Sequence, residues 1–149
     1  MQSTAAPPSD AAYPRHPRIA VGAIVFHQGR VLLVARKNPP SQGLWAIPGG
    51  SVELGERMTA AAEREILEET GLTVRAHTPV ETFEVIDRDE GGDVRYHYVI
   101  VDLAADYLHG EIRPGDDALE ARWVSREELA LLPVNPKTRQ VLKKHYNFP

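Results

Sequence analysis

The run 58–70 contains neither proline nor glycine, is made largely of Ala, Glu, Arg, Ile and Leu, and is followed at once by Gly71. Good helix formers at this density, with a glycine where a left-handed cap belongs, predict the principal helix over 58–70. The segments on either side read as strands. Residues 19–26 (IAVGAIVF) and 31–35 (VLLVA) are aliphatic, β-branched runs divided by His27-Gln28-Gly29-Arg30, which predicts a hairpin with buried strands. A loop rich in breakers, 37–43, leads to a short strand over 44–47 that stops at Pro48-Gly49-Gly50. After the helix, strand patterns over 73–86 and 94–103 flank the turn residues 89–93, as in a long hairpin. A short strand at 122–124 precedes Ser125 and Glu128, spaced as a capping box for a short second helix. Asn135 before Pro136 then opens a last helix reaching about His145. With no internal repeat, this order predicts an α/β fold whose mixed sheet is covered on both faces.

Residues 1–17 hold four of the twelve prolines and no hydrophobic period, so they are expected to form a flexible arm, with the domain occupying 18–149. No apolar stretch approaches the roughly 20 residues that span a bilayer, and no hydrophobic run follows a basic start. A cytoplasmic protein is expected. The absence of cysteine excludes disulfides, thiolate zinc, iron–sulfur clusters and cysteine nucleophiles, so any metal must bind oxygen or imidazole. Seventeen Lys plus Arg against twenty-one Asp plus Glu give a net charge of −4, the wrong sign for gripping a nucleic-acid backbone. A small-molecule partner is expected, with neither nucleic acid nor membrane, and a homodimer stays open.

Glu65, Glu68 and Glu69 fall within about a third of the helix circumference. Like charges at these spacings destabilise a helix by about 0.2–0.5 kcal/mol per pair, and Arg64 is the one adjacent basic residue on that side. Hard divalent cations such as Mg²⁺ take oxygen ligands and would relieve this repulsion; a solvated Glu-rich face is the plainer reading of the helix alone. The preceding segment, 48–56, is punctuated by glycines that permit close approach of backbone to ligand, which adds Gly49 to the candidate metal set and brings Glu56 to the helix entrance.

As one string, Gly50, five residues, Glu56, seven residues and Arg64-Glu65-Ile66-Leu67-Glu68-Glu69-Thr70-Gly71-Leu72 resembles the Nudix box at all seven fixed and both aliphatic positions. At about 6% per fixed position, chance agreement is on the order of one in 10⁸ or rarer per start. The resemblance implies an α/β/α sandwich and Mg²⁺-dependent hydrolysis of a nucleoside diphosphate linked to another moiety, with Mn²⁺ as a substitute ion. It also implies metal ligation by Glu65, Glu68 and Glu69, support from Glu56, and orientation of a carboxylate by Arg64. Glu68 and Glu69, or Asp116, Asp117 or Glu120 of the loop 110–120, are the candidates for accepting the proton of the attacking water. One departure is Arg57, where relatives often place a small hydroxyl residue.

Outside the box, Arg36 and Lys37 are candidates for substrate phosphates, against the reading as strand-end charges. Phe83, Tyr96 and Tyr98 offer flat surfaces for a base, and packing explains them equally; Tyr96 and Tyr98 share a strand face that His97 does not. Trp45 suits a core. Asn135 either caps the last helix or touches a base, as in MutT-like relatives. The stretch from Tyr96–Val99 to Gly110 and Gly115–Asp117, ending in Ala121–Val124, resembles that of bacterial ADP-ribose pyrophosphatase-type members; Arg36, Tyr98 and Asp116 are the candidate substrate contacts. ADP-ribose, split to AMP and ribose 5-phosphate, is therefore the leading expectation. A MutT-like triphosphate pyrophosphohydrolase and a nucleotide sensor without turnover are the alternatives, and the intact glutamate set argues against the sensor.

Overall fold

The computed structural model describes residues 12–37, 42–113, 115 and 118–149. Strands β1 (Arg18–His27), β2 (Arg30–Arg36), β3 (Trp45–Ala46) and β4 (Gly49–Ser51) precede helix α1 (Met58–Thr70). Strands β5 (Thr73–Arg88), β6 (Val94–His109) and β7 (Ala118–Val124) follow, then helices α2 (Arg126–Leu131) and α3 (Pro136–Tyr146). The strands form one mixed sheet in the order β3-β2-β1-β6-β5, with β4 on β1 and β7 on β2; β1 and β6 are parallel, and the other pairs within the sheet are antiparallel.

Alternation along β1 sends Val21, Ala23 and Val25 to one face, where they pack with Leu103 and with Ala62 and Ile66 of α1. Ile24 points the other way, into a second cluster with Leu129 of α2 and Val141 and Leu142 of α3. The α/β/α layering follows from these two clusters. Each fully buried Ile or Leu contributes on the order of 1.5–3 kcal/mol, which explains how α1 forms without a side-chain cap at Arg57. Gly71 closes α1 in the left-handed region (φ 80°), where its N–H donates to the Leu67 carbonyl. The capping box of Ser125 and Glu128 is present at α2.

Two features differ from the sequence reading. The β1–β2 hairpin is real but pairs only Phe26 with Val31 and His27 with Arg30; beyond the turn, β2 goes to β3 and β7. The vacated edge of β1 is taken by Gly49–Ser51, which is a strand rather than a loop: Gly22 faces Gly49 and Val21 faces Gly50. Its side-chain-free residues admit β1 so closely that a Cβ at Gly49 would collide with the Val21 carbonyl. Before β1, Tyr13 donates its hydroxyl to Asp89 (2.8 Å) and its N–H to the Arg95 carbonyl (2.8 Å), joining residues 12–17 to the β5–β6 hairpin. Among the described residues no helix is long and apolar enough to cross a membrane.

Candidate functional site

Arg64 organises the start of the site. Its Nε and one terminal nitrogen donate to the two Glu56 carboxylate oxygens (2.8 and 3.0 Å), a bidentate pair, and that second nitrogen also donates to the Ser51 carbonyl (3.1 Å). Its other terminal nitrogen reaches Glu65 (2.9 Å) and Glu68 (3.3 Å). Glu56 accepts from the Glu53 N–H as well, and these bonds hold its carboxyl below the ordinary value, the guanidinium contributing most. The guanidinium pKa is raised in turn, chiefly by the bonds to Glu56. Part of the repulsion foreseen on α1 is therefore relieved by Arg64 itself.

The three helix glutamates do not converge. Glu68 leans along the helix toward Arg64 with its side chain 58% exposed. Glu65 and Glu69 turn instead into a cavity of about 220 Å³ between the sheet and the start of α3. Glu69 accepts the Gly49 N–H (2.9 Å), and Gly50 lies so close to Glu65 that a Cβ there would collide with the carboxylate. Among the described residues no three carboxylates or imidazoles form a closed metal cage. An all-oxygen pair of carboxylates beside backbone nevertheless fits Mg²⁺, which binds through one or two carboxylates and completes its octahedron with waters and substrate phosphate oxygens.

Away from the glutamates the cavity changes character. The register sets Val85 beside Tyr98, Phe83 beside Ile100 and Glu81 beside Asp102, and all of these except Glu81 line the cavity. Arg36 lines it from β2, and Asn135, Lys137 and Thr138 close it from the entrance of α3. That entrance is fixed by the Trp45 N–H on the Pro133 carbonyl (2.9 Å), the Asn135 N–H on the Trp45 carbonyl (2.8 Å) and the Ile47 N–H on the Thr138 hydroxyl (3.3 Å). Asn135 caps α3, accepting from the N–H groups of Lys137 (2.8 Å) and Thr138 (3.4 Å), and also borders the cavity. Trp45 is core, Tyr96 is buried outside the lining, and Lys37 is not among the lining residues. Glu120 is exposed on β7, while Asp116 and Asp117 lie outside the described residues.

Sequence reasoning missed Asp102 and Lys137. Asp102 is 4% exposed, and burial pushes its carboxyl up to about 7, with the Glu81 charge adding and Lys137 opposing. The available signal was an aspartate inside the aliphatic run VIVDLAA. Glu81, its neighbour across the strands, bonds Lys137 (2.6 Å), His145 (2.6 Å) and Lys144 (3.3 Å) and is held at about 2, the Lys137 bond contributing most.

The NUDIX domain family model matches residues 16–145. An ADP-ribose pyrophosphatase of Methanocaldococcus jannaschii is 38% identical over 117 residues, 78% of this chain and 67% of that protein. The nucleoside triphosphatase NudI of Salmonella agona is 34% identical over 137 residues, 84% of this chain and 94% of its own. The crystal structure of a MutT NUDIX hydrolase from Burkholderia pseudomallei superposes with a TM-score of 0.74 at 32% identity, covering 89% of this chain and 99% of that one. The box on β4 and α1, the layering around it and these likenesses agree, and the chain belongs to the Nudix family of hydrolases.

Proposed function

We propose that the chain hydrolyses the diphosphate of ADP-ribose, releasing AMP and ribose 5-phosphate in the cytoplasm. The observation that carries this reading is one cavity lined by two chemically different sets of side chains: Glu65, Glu69 and Arg36, and Phe83, Tyr98 and Ile100. A ligand with a charged phosphate group and a flat, largely apolar body matches both. The similarity to the archaeal pyrophosphatase supports the choice of substrate.

In this reading Glu65 and Glu69, with the Gly49 backbone and Glu68 on the outer side, hold Mg²⁺ or Mn²⁺. A cation bound there supplies neutralisation of the diphosphate and a more acidic water. Arg36 donates to phosphate oxygens, Tyr98 borders the nucleoside, and Asp116 belongs to the substrate-facing loop. Arg64 keeps Glu56 and Glu65 in place. Water attacks one phosphorus, the bond from that phosphorus to the bridging oxygen breaks, and the water proton passes to Glu68 or Glu69.

A second reading, a triphosphate pyrophosphohydrolase, is favoured by Asn135 at the cavity border and by the likeness to the Salmonella triphosphatase. A product-resolved comparison of ADP-ribose, dinucleotides, nucleotide sugars and deoxynucleoside triphosphates with Mg²⁺ separates the two. The highest kcat/KM is expected for ADP-ribose, with AMP and ribose 5-phosphate as products. Faster release of pyrophosphate from a triphosphate would establish the second reading, and no turnover of any of these with Mg²⁺ or Mn²⁺ would overturn both.

A further inference from the structure

Asp102 sits in the middle of β6, faces the cavity and is almost fully buried, yet its side chain makes no hydrogen bond or ion pair among the described residues. A buried carboxyl without a partner is destabilising. The nearby cation relieves it only in part, because Lys137 is committed to Glu81 at 2.6 Å and lies over the Phe83 ring, 4.8 Å from its centroid. The fold also makes room for this carboxyl: Gly22 pairs directly with Asp102, and a Cβ at that position would collide with Asp102 Oδ1. A core position needs neither feature, since an aliphatic residue would fill the space with less penalty. The carboxyl lies over Gly22 and borders the cavity that Phe83 and Ile100 also line.

We propose that Asp102 selects the base of the substrate, its carboxyl pairing with an amino group and the ring nitrogen next to it, the edge that adenine presents. The assignment rests on the nucleotide reading above and goes further by naming the group that recognises the base. A carboxylic acid offers one donor and one acceptor on neighbouring oxygens, the complement of that edge; an unsubstituted purine, which lacks the amino group, can make only the bond to the ring nitrogen. The upward displacement of the Asp102 carboxyl to about 7 keeps this acid form populated near neutrality. An asparagine amide carries the same donor–acceptor pair, as it does when it reads adenine in nucleic acids.

The test measures Kd for AMP and for purine riboside 5′-monophosphate by calorimetry with Mg²⁺ in wild type, Asp102→Ala and Asp102→Asn. Wild type should prefer AMP by at least about tenfold, Asp102→Ala should bring the two constants within about twofold, and Asp102→Asn should keep the preference. An equal AMP preference in wild type and Asp102→Ala would overturn the role of Asp102 and leave the nucleotide reading standing. Binding of neither nucleotide by wild type would overturn both. Loss of preference in Asp102→Asn as well as in Asp102→Ala would show a charge or shape effect instead of paired recognition, and would also overturn the proposal.

Discussion

At Glu69 one oxygen already has a structural task, accepting the Gly49 N–H, so the carboxylate serves both geometry and charge. Glu69→Gln retains an oxygen for that bond and removes only the charge. Turnover at saturating Mg²⁺ should fall on the order of 10²-fold or more while the melting temperature changes little; a kcat equal to wild type would remove Glu69 from the chemistry. Asp102 has the opposite balance, because its charge is a burden on the fold. Its pKa in the folded protein, about 7, lies above the ordinary 3.8 through burial, so the native state keeps a proton that the unfolded chain has lost. Below about pH 4 both states are protonated and burial of the group carries no such penalty; the penalty grows as pH rises and is complete once pH passes 7. Asp102→Asn does not titrate, so its stability relative to wild type should improve between pH 5 and pH 8, by roughly 2–3 kcal/mol. Denaturant unfolding at the two pH values checks this, and a difference independent of pH would refute the burial argument.

Helix α3 is docked by packing and by one anion. Val141 and Leu142 sit in the core cluster, and Glu81 of β5 collects Lys137, Lys144 and His145 along the helix. Because Lys137 and Asn135 border the cavity, this docking also sets the position of its roof. Glu81→Gln leaves the partly buried Lys137 without its counter-charge and should cost about 1–3 kcal/mol at pH 7. The Glu81 pKa is depressed from 4.5 to about 2, so its stabilisation is present above 4.5 and disappears as pH falls toward 2. The gap between wild type and Glu81→Gln should therefore narrow from pH 7 to pH 3 in thermal unfolding; a constant gap would mean that Glu81 acts by shape alone. Elements of this kind were legible in the sequence where local chemistry decides them: α1 between Met58 and Gly71, the capping box at Ser125, and Asn135 with Pro136. The pairing of Gly49–Ser51 with β1 was not legible, since glycines have low strand propensity and the strand exists only because β2 leaves that edge open.

The parting of β1 and β2 gives the molecule its site. With β4 inserted on β1, the glycine backbone lies against Glu65 and Glu69 of α1, while Tyr98, Ile100 and Asp102 of β6 face the cavity from beyond β1. The box residues were legible because their spacing is local; Asp102 was not, because its meaning depends on Gly22 being its neighbour and α3 its cover, both settled by the tertiary fold. The proposed metal end is likewise assembled from two elements, a strand and a helix held in register by Arg64 through Ser51, Glu56 and Glu65. A ligand that binds this arrangement and not the unfolded chain must stabilise the whole domain. At tenfold excess over its Kd, Mg²⁺ should add about 1.4 kcal/mol, or about 3–6 °C in melting temperature for a domain of this size. Arg64→Met should weaken that response without touching a proposed ligand, because Glu56 and Glu65 lose the group that positions them, whereas Glu65→Gln alters a proposed ligand directly. Scanning calorimetry of the three proteins across Mg²⁺ concentrations separates the effects: Arg64→Met should need more Mg²⁺ to reach the same rise. A wild type insensitive to Mg²⁺, or an Arg64→Met response equal to wild type, would show that the strand and helix do not form the metal site together.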